Sequence, residues 1–278
     1  MDKVSIGNVE ITPLLDCPVL MNPEFFMPEH ADGIRAEFAR DVDERGLLPM
    51  AITCFLIRSA GKTIIVDTGI GPRKRAGFPV GHLPERLTEA GIAPEDIDVV
   101  IATHLHIDHV GWNTVPGEAS GTSKIFFPHA RFLFQQREWD HWMQPEFLIE
   151  PTNAHLRECV QPAMDAGQVE LIGPEYAVDE HVTFLSTPGH TPGHVSIGIL
   201  AAGERGVVVG DASHHPVQLN HPDWSPSADS DPVQAARSRE ALFEQAIAEN
   251  RVWLGGHWPY PGIGRIKRLE GRRVFGAL

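Results

Sequence analysis

The sequence predicts a mixed α/β chain folded as a four-layer αββα sandwich, two packed sheets with helices outside. Three observations lead there. Apolar runs with strand periodicity outnumber helical stretches. These runs often follow one another with no helix between. The order strands-then-helix occurs twice, in similar halves near 1–150 and 151–278, without a linker, a low-complexity run or a shift in composition. One domain over 1–278 is therefore expected, with helices covering the outer sheet faces.

Residues 4–15 alternate apolar and polar around Gly7-Asn8, an opening hairpin. Residues 17–50 begin CPVLMNPEFFMPEHADG, rich in Pro, Met and Phe and without a period. This reads as a surface excursion or lid, followed by a helix in IRAEFARDVDERGLL. AITCFLIRSAGKTIIVDTG is two strands turning at Ala60-Gly61-Lys62, and HLPERLTEAG is a helix. DIDVVIATHLHIDHVGW begins as a buried strand. Helical stretches near 135–144 and 152–166 precede the strands VELI, VTFLST, HVSIGIL and RGVVVGD. Residues 213–231 are polar, Pro-rich and aperiodic, hence a loop. Asp231 and Pro232 then mark a helix start, as N-cap and first helical residue. VWLGGH is a short strand, and RIKRLEGRRVF closes the chain as a hairpin.

Composition narrows the function. Hydrophobic residues make up 42% and charged ones 22% of 278 residues, which excludes disordered, collagenous and coiled-coil chains. A net charge of −14 repels phosphate backbones, so nucleic acid is not the expected partner. The opening MDKVSIGNVEITPLL lacks a basic stretch followed by an apolar one, and no apolar run nears the ~20 residues of a membrane span. A soluble, cytoplasmic protein without membrane association is expected. Cys17, Cys54 and Cys159 are odd in number and far apart, so they read as buried thiols.

The 15 histidines are the informative excess. In Thr103-His104-Leu105-His106-Ile107-Asp108-His109, three His and one Asp crowd the end of an apolar strand. Extended residues i and i+2 point the same way, so His104 and His106 converge on one point. Asp108 and His109 follow where the chain turns and face a second point nearby. Imidazole with carboxylate suits zinc, manganese, iron or cobalt. Three more candidates close strands in the same manner: His190 after VTFLSTPG, Asp211 after GVVVG and His257 after VWLGG.

Together, HLHIDH, STPGHTPGH, GDASH and GGHWPYPG, with an early VDTG, resemble the metallo-β-lactamase-fold hydrolases. The resemblance implies the αββα sandwich and a site for two divalent ions, zinc first. His104, His106 and His190 would hold one ion, Asp108, His109 and His257 the other, and Asp211 would bridge them. It implies hydrolysis by a hydroxide shared between the ions, with Asp108 and Asp211 as catalytic carboxylates. Asp67 and His194 would support the ligands from behind. Phe25, Phe26, Trp112, His214, Trp258 and Tyr260 are expected to line the substrate pocket, giving an uncharged, apolar small-molecule substrate.

Within the family, GHWPYPGIG resembles the methyl-parathion-hydrolase-like and lactonase branch. Acyl-homoserine lactonases place Tyr after the bridging Asp, whereas this chain reads Asp211-Ala212-Ser213-His214, with His214 in that place. The expectation is a hydrolase of esters, lactones or phosphotriesters. An iron-dependent oxidoreductase is the alternative from another reaction class. A glyoxalase II-like thioesterase is a third, kept by the basic residues Arg265, Lys267, Arg268, Arg272 and Arg273. A homodimer through the apolar stretch 19–28 is also expected.

Overall fold

The computed structural model describes residues 3–75 and 79–278. Along the chain, β1 (Val4–Ile6) and β2 (Val9–Met21) form the opening hairpin. Two short helices follow, α1 (Pro23–Phe26) and α2 (Ala31–Glu37). Next come β3 (Leu48–Ser59), β4 (Lys62–Val66), α3 (Leu83–Glu89) and β5 (Val99–Ile101). A single turn, α4 (Ile107–Val110), leads to the small hairpin β6 (Thr114–Pro116) and β7 (Ser123–Ile125), then β8 (Arg131–Gln135). The outer helices α5 (Gln136–Trp142), α6 (Pro145–Ile149) and α7 (Gln161–Asp165) precede β9 (Val169–Ile172). The second half holds β10 (Val182–Ser186), β11 (Val195–Ala201), β12 (Glu204–Val208), α8 (Pro232–Ala248), β13 (Val252–Leu254), β14 (Ile263–Leu269) and β15 (Arg272–Ala277).

Two sheets result, in the orders β1-β2-β3-β4-β5-β8-β9 and β10-β11-β12-β13-β14-β15. One apolar cluster lies between them, uniting Ile11, Phe55 and Ile101 of the first with Ile197, Val208 and Leu254 of the second. A second packs α3 and α7 onto the outside of the first sheet. A third packs α8 against the second sheet through Leu242, Phe243 and Trp253. This is the expected four-layer order. No helix among the described residues is long and apolar enough to cross a membrane.

The stretch 17–50 departs from expectation. Its first residues continue β2 to Met21, because a bulge between Leu15 and Cys17 shifts the pairing with β3 and breaks the alternation. The helix of this region is α2, earlier and shorter than IRAEFARDVDERGLL. Asp43 ends that possibility downstream by accepting from the backbone N–H of Arg45 and Leu47, which folds 43–47 into a turn. The bulge also turns Asp16 inward, where its carboxylate accepts from Ile70 N, Leu83 N and Trp112 Nε1.

Parallel pairs sit at the heart of both sheets: β4 with β5, and β12 with β13. Their carboxyl ends open on one rim, the usual place for a site in such sheets. There the sheets are stitched together: Ala51 N donates to His257 O, Thr53 N to Gly256 O and Val195 N to Thr103 O.

Candidate metal centre

Every candidate ligand stands just past a strand on this rim. β5 stops at Ile101, so His104 and His106 lie in a loop rather than in the extended strand that the spacing suggested. They still converge: His104 Nε2 and His106 Nδ1 are 3.0 Å apart, and His190 Nε2 is 3.0 Å from His106 Nδ1. Asp211 Oδ2 lies 3.2 Å from His190 Nε2. The second group is built from α4, which carries Asp108 and His109, and from the turn after β13. His109 Nε2 and His257 Nε2 are 3.2 Å apart, and Asp108 Oδ2 is 3.3 Å from His257 Nε2. Asp211 reaches this group too, with Oδ1 3.2 Å from both imidazole nitrogens.

These spacings fit cations. Ligand atoms roughly 2.0–2.2 Å from a tetrahedral ion stand roughly 3.3–3.6 Å apart, within the 3.0–3.8 Å seen among the candidate atoms here. Asp211 Oδ1 is buried without a well-directed hydrogen bond. A buried anion so placed is costly unless a positive charge meets it. Burial pushes the His104 and His106 imidazoles well below their ordinary range, leaving neutral rings with free lone pairs. Burial also lowers His257, but Asp211 and Asp108 overcome that and hold it up at about 9. Burial would raise Asp211, yet His109, His257, His214 and His190 together hold it well below the usual carboxylate range. Neutral imidazoles at His104 and His106, beside an ionised carboxylate that keeps His109 and His257 protonated until a cation takes the place of those protons, suit a divalent metal.

The supports come from behind. Asp67, at φ 59° after β4, accepts from Thr103 N and faces His109 Nδ1 at 2.8 Å. That contact aims His109 Nε2 into the cluster. His194 Nε2 accepts the Asp211 N–H at 2.9 Å. Gly210, at φ 54°, makes room for this: a Cβ there would stand 2.6 Å from His194 Nε2. Asp67 and His194 thus touch the candidate ligand residues rather than the centres of the two groups.

The expected pocket residues divide. His214 lies within the cluster, Nε2 3.1 Å from Asp211 Oδ2, its ring stacked on His257. Phe26 packs edge-on against His214. Phe25, its neighbour, points outward and is 74% exposed. Trp112 and Trp258 are corrected. Trp112 is buried in the outer core of the first sheet with its indole bonded to Asp16. Trp258 is fully buried against Trp253 and Phe275, donating to Ser213 Oγ. Tyr260 is partly exposed, with its hydroxyl near Pro13 O.

Several residues at the centre escaped the sequence reading. Trp142 of α5 sits edge-on to His106 at 5.2 Å. Buried Glu138 accepts from Leu105 N and Gly193 N, clipping the loop of His104 and His106 to that of His190. Asp229 faces His190 Nδ1, and His155 bonds Leu105 O. Each belongs to a stretch that read as helix or polar loop. The one local signal was Asp229-Ser230-Asp231, an acidic pair at a helix start.

Comparison with known proteins adds to this geometry. The sequence pattern of the metallo-beta-lactamase superfamily matches residues 47–257. The chain is 26% identical over 246 residues to an N-acyl homoserine lactonase of Bacillus cereus, spanning 82% of this chain and 87% of that one. Hydrolase AbOPH of the beta lactamase superfamily superposes at a TM-score of 0.85 with 25% identity, over 99% of this chain and 96% of that one. AidC, a dizinc quorum-quenching lactonase solved with a product N-hexanoyl-L-homoserine, superposes at 0.81 with 25% identity, over 100% and 97%.

Proposed function

Since this chain belongs to the metallo-beta-lactamase superfamily, we propose that it is a dinuclear metal-dependent hydrolase of uncharged, apolar lactones and esters. In this reading His104, His106 and His190 hold one ion, Asp108, His109 and His257 hold the other, and Asp211 bridges them. The observation that carries it is the two-sided placement of Asp211, one carboxylate oxygen toward each group of ligands. Zinc is the first choice of metal, given the imidazole-rich set and the dizinc lactonase among the similar structures. A metal pair supplies Lewis acidity and a nucleophile from water at neutral pH.

The chain's own residues do the rest. Asp108, the most open of the ligand carboxylates, faces the approach and is placed to take and return a proton. His214 Nε2 stands beside the centre, where an N–H can be donated to an ester or lactone oxygen. Phe26 over His214 and Trp142 over His106 frame the approach with apolar rings, which favours an acyl or aryl group and disfavours a charged one. Of the five basic residues behind the thioesterase alternative, Arg268 is paired with Glu244, and Arg273 with Glu240 and Glu244, on the flank of α8, which favours the lactone and ester reading. The dimer rests on Leu20 and Phe25, both exposed at the excursion, and a monomeric light-scattering mass at micromolar concentration removes it.

The test is metal content by elemental analysis, paired with turnover of a γ-lactone, an acyl-homoserine lactone, a phenyl ester and a phosphotriester. About two equivalents of metal with lactone or ester turnover is expected. One equivalent of iron without hydrolysis would overturn the proposal in favour of the oxidoreductase. Two substitutions sharpen it. His194→Asn is expected to retain both metals and His190→Asn to lose one; the reverse result would reassign the ligands. His214→Phe is expected to keep the metal content and lower kcat/KM about a hundredfold or more, the range for a lost hydrogen bond to a reacting oxygen.

A further inference from the structure

Helix α8 carries one buried charge, and it leads to the centre. Arg239 is fully buried, and so is the Asp229 side chain it meets. Asp229 uses both oxygens: Oδ2 accepts from Arg239 Nη2 at 3.1 Å, and Oδ1 lies 2.9 Å from His190 Nδ1. The rest of the guanidinium is spent on backbone. Nε donates to Ala212 O at 2.8 Å, one residue past Asp211, and Nη1 to Pro222 O at 2.6 Å. The same helix face holds the His190 loop directly, since Ser238 Oγ donates to Pro188 O.

A buried ion pair of this kind is a weak stabiliser of a fold, because the cost of desolvating both charges offsets their attraction. Its value lies in what it orients. An ionised Asp229 accepts only, so His190 must carry its proton on Nδ1, and the Nε2 lone pair is thereby turned toward His106 and Asp211. Arg239 holds Asp229 in place through the second carboxylate oxygen. We propose that Arg239 and Asp229 are positioning residues for the metal centre, a relay from α8 that fixes the tautomer and aim of His190. The inference rests on the metal-centre reading above.

The experiment measures the dissociation constants of both zinc ions by competition with a chromophoric chelator. The proteins are the wild type, Asp229→Asn, the double variant Asp229→Asn/Arg239→Met and Phe243→Leu. The double variant removes both charges together, so no unpaired ion is left buried if the single one unfolds. Phe243→Leu loosens the core under α8 without touching the relay. In both relay variants, one ion is expected to bind 10–100-fold more weakly, the usual effect of losing a partner behind a ligand. The other ion in Asp229→Asn, and both ions in Phe243→Leu, are expected to hold within about threefold, well short of that effect. Folded relay variants that bind both ions as the wild type does would overturn the relay. So would an equal weakening of both ions matched by Phe243→Leu. A wild type that binds no metal would overturn the metal-centre reading itself, a distinct failure.

Discussion

Asp211→Asn is expected to lower turnover by at least two to three orders of magnitude while the protein stays folded. The carboxylate is buried, with each oxygen 3.2 Å from imidazole nitrogens of a different ligand group. An amide keeps the shape but turns one acceptor into a donor, and that donor then faces nitrogens that must be lone pairs to bind metal. The loss is comparable to removing a preorganised charge from a reacting centre, roughly 10²–10³ in rate. The measurement is kcat on the best lactone or ester, with metal content and far-ultraviolet circular dichroism on the same sample. Turnover within tenfold of wild type would mean that Asp211 is no bridge. Folding should survive, because removing the charge also removes a desolvation cost.

The second large effect is on stability. Metal binds only where the ligands are assembled, so it stabilises the folded state by mass action. At a free concentration 1,000 times the dissociation constant, one ion contributes about 4 kcal/mol. In a chain of this length, 1 kcal/mol moves the melting temperature by roughly 2–4 °C, so stripping both ions with a chelator should lower it by well over 10 °C. Restoring zinc should restore it. A melting temperature unmoved by chelator, on protein shown by elemental analysis to have lost its metal, would contradict the proposed ligand set.

Much of the candidate centre was legible because its proposed ligands are local signals. His104, His106, Asp108 and His109 sit within six positions, and His190, Asp211 and His257 each follow an apolar run that ends in glycine. The sandwich was legible for a related reason: apolar runs define strands, and strands without intervening helices must pair. What stayed hidden depends on long-range contact. Asp16, Glu138, Asp229 and Arg239 act on backbone or rings from distant segments, and apart from the acidic pair Asp229 and Asp231 nothing in their own neighbourhoods announces it. The aromatics misled because closeness in sequence is not direction in space. Trp112 and Trp258 directly follow motif segments yet turn into the core, and Phe25 and Phe26 face opposite ways. The bulge at Asp16 hid the continuation of β2 by shifting its phase.

The seam between the sheets has a consequence for how the protein forms and fails. His109 and His257 are 148 positions apart in the chain, one at the rim of each sheet, and their nitrogens meet at 3.2 Å. The pair of ions would tie those distant points as a cross-link does, but a cross-link that can close only after both sheets have docked. A tie that closes so late would be missing from the folding transition state, and it would then leave the rate of folding alone and act on the rate of opening. Metal would then work as a latch on a finished structure, lengthening the life of the closed sandwich without helping to build it.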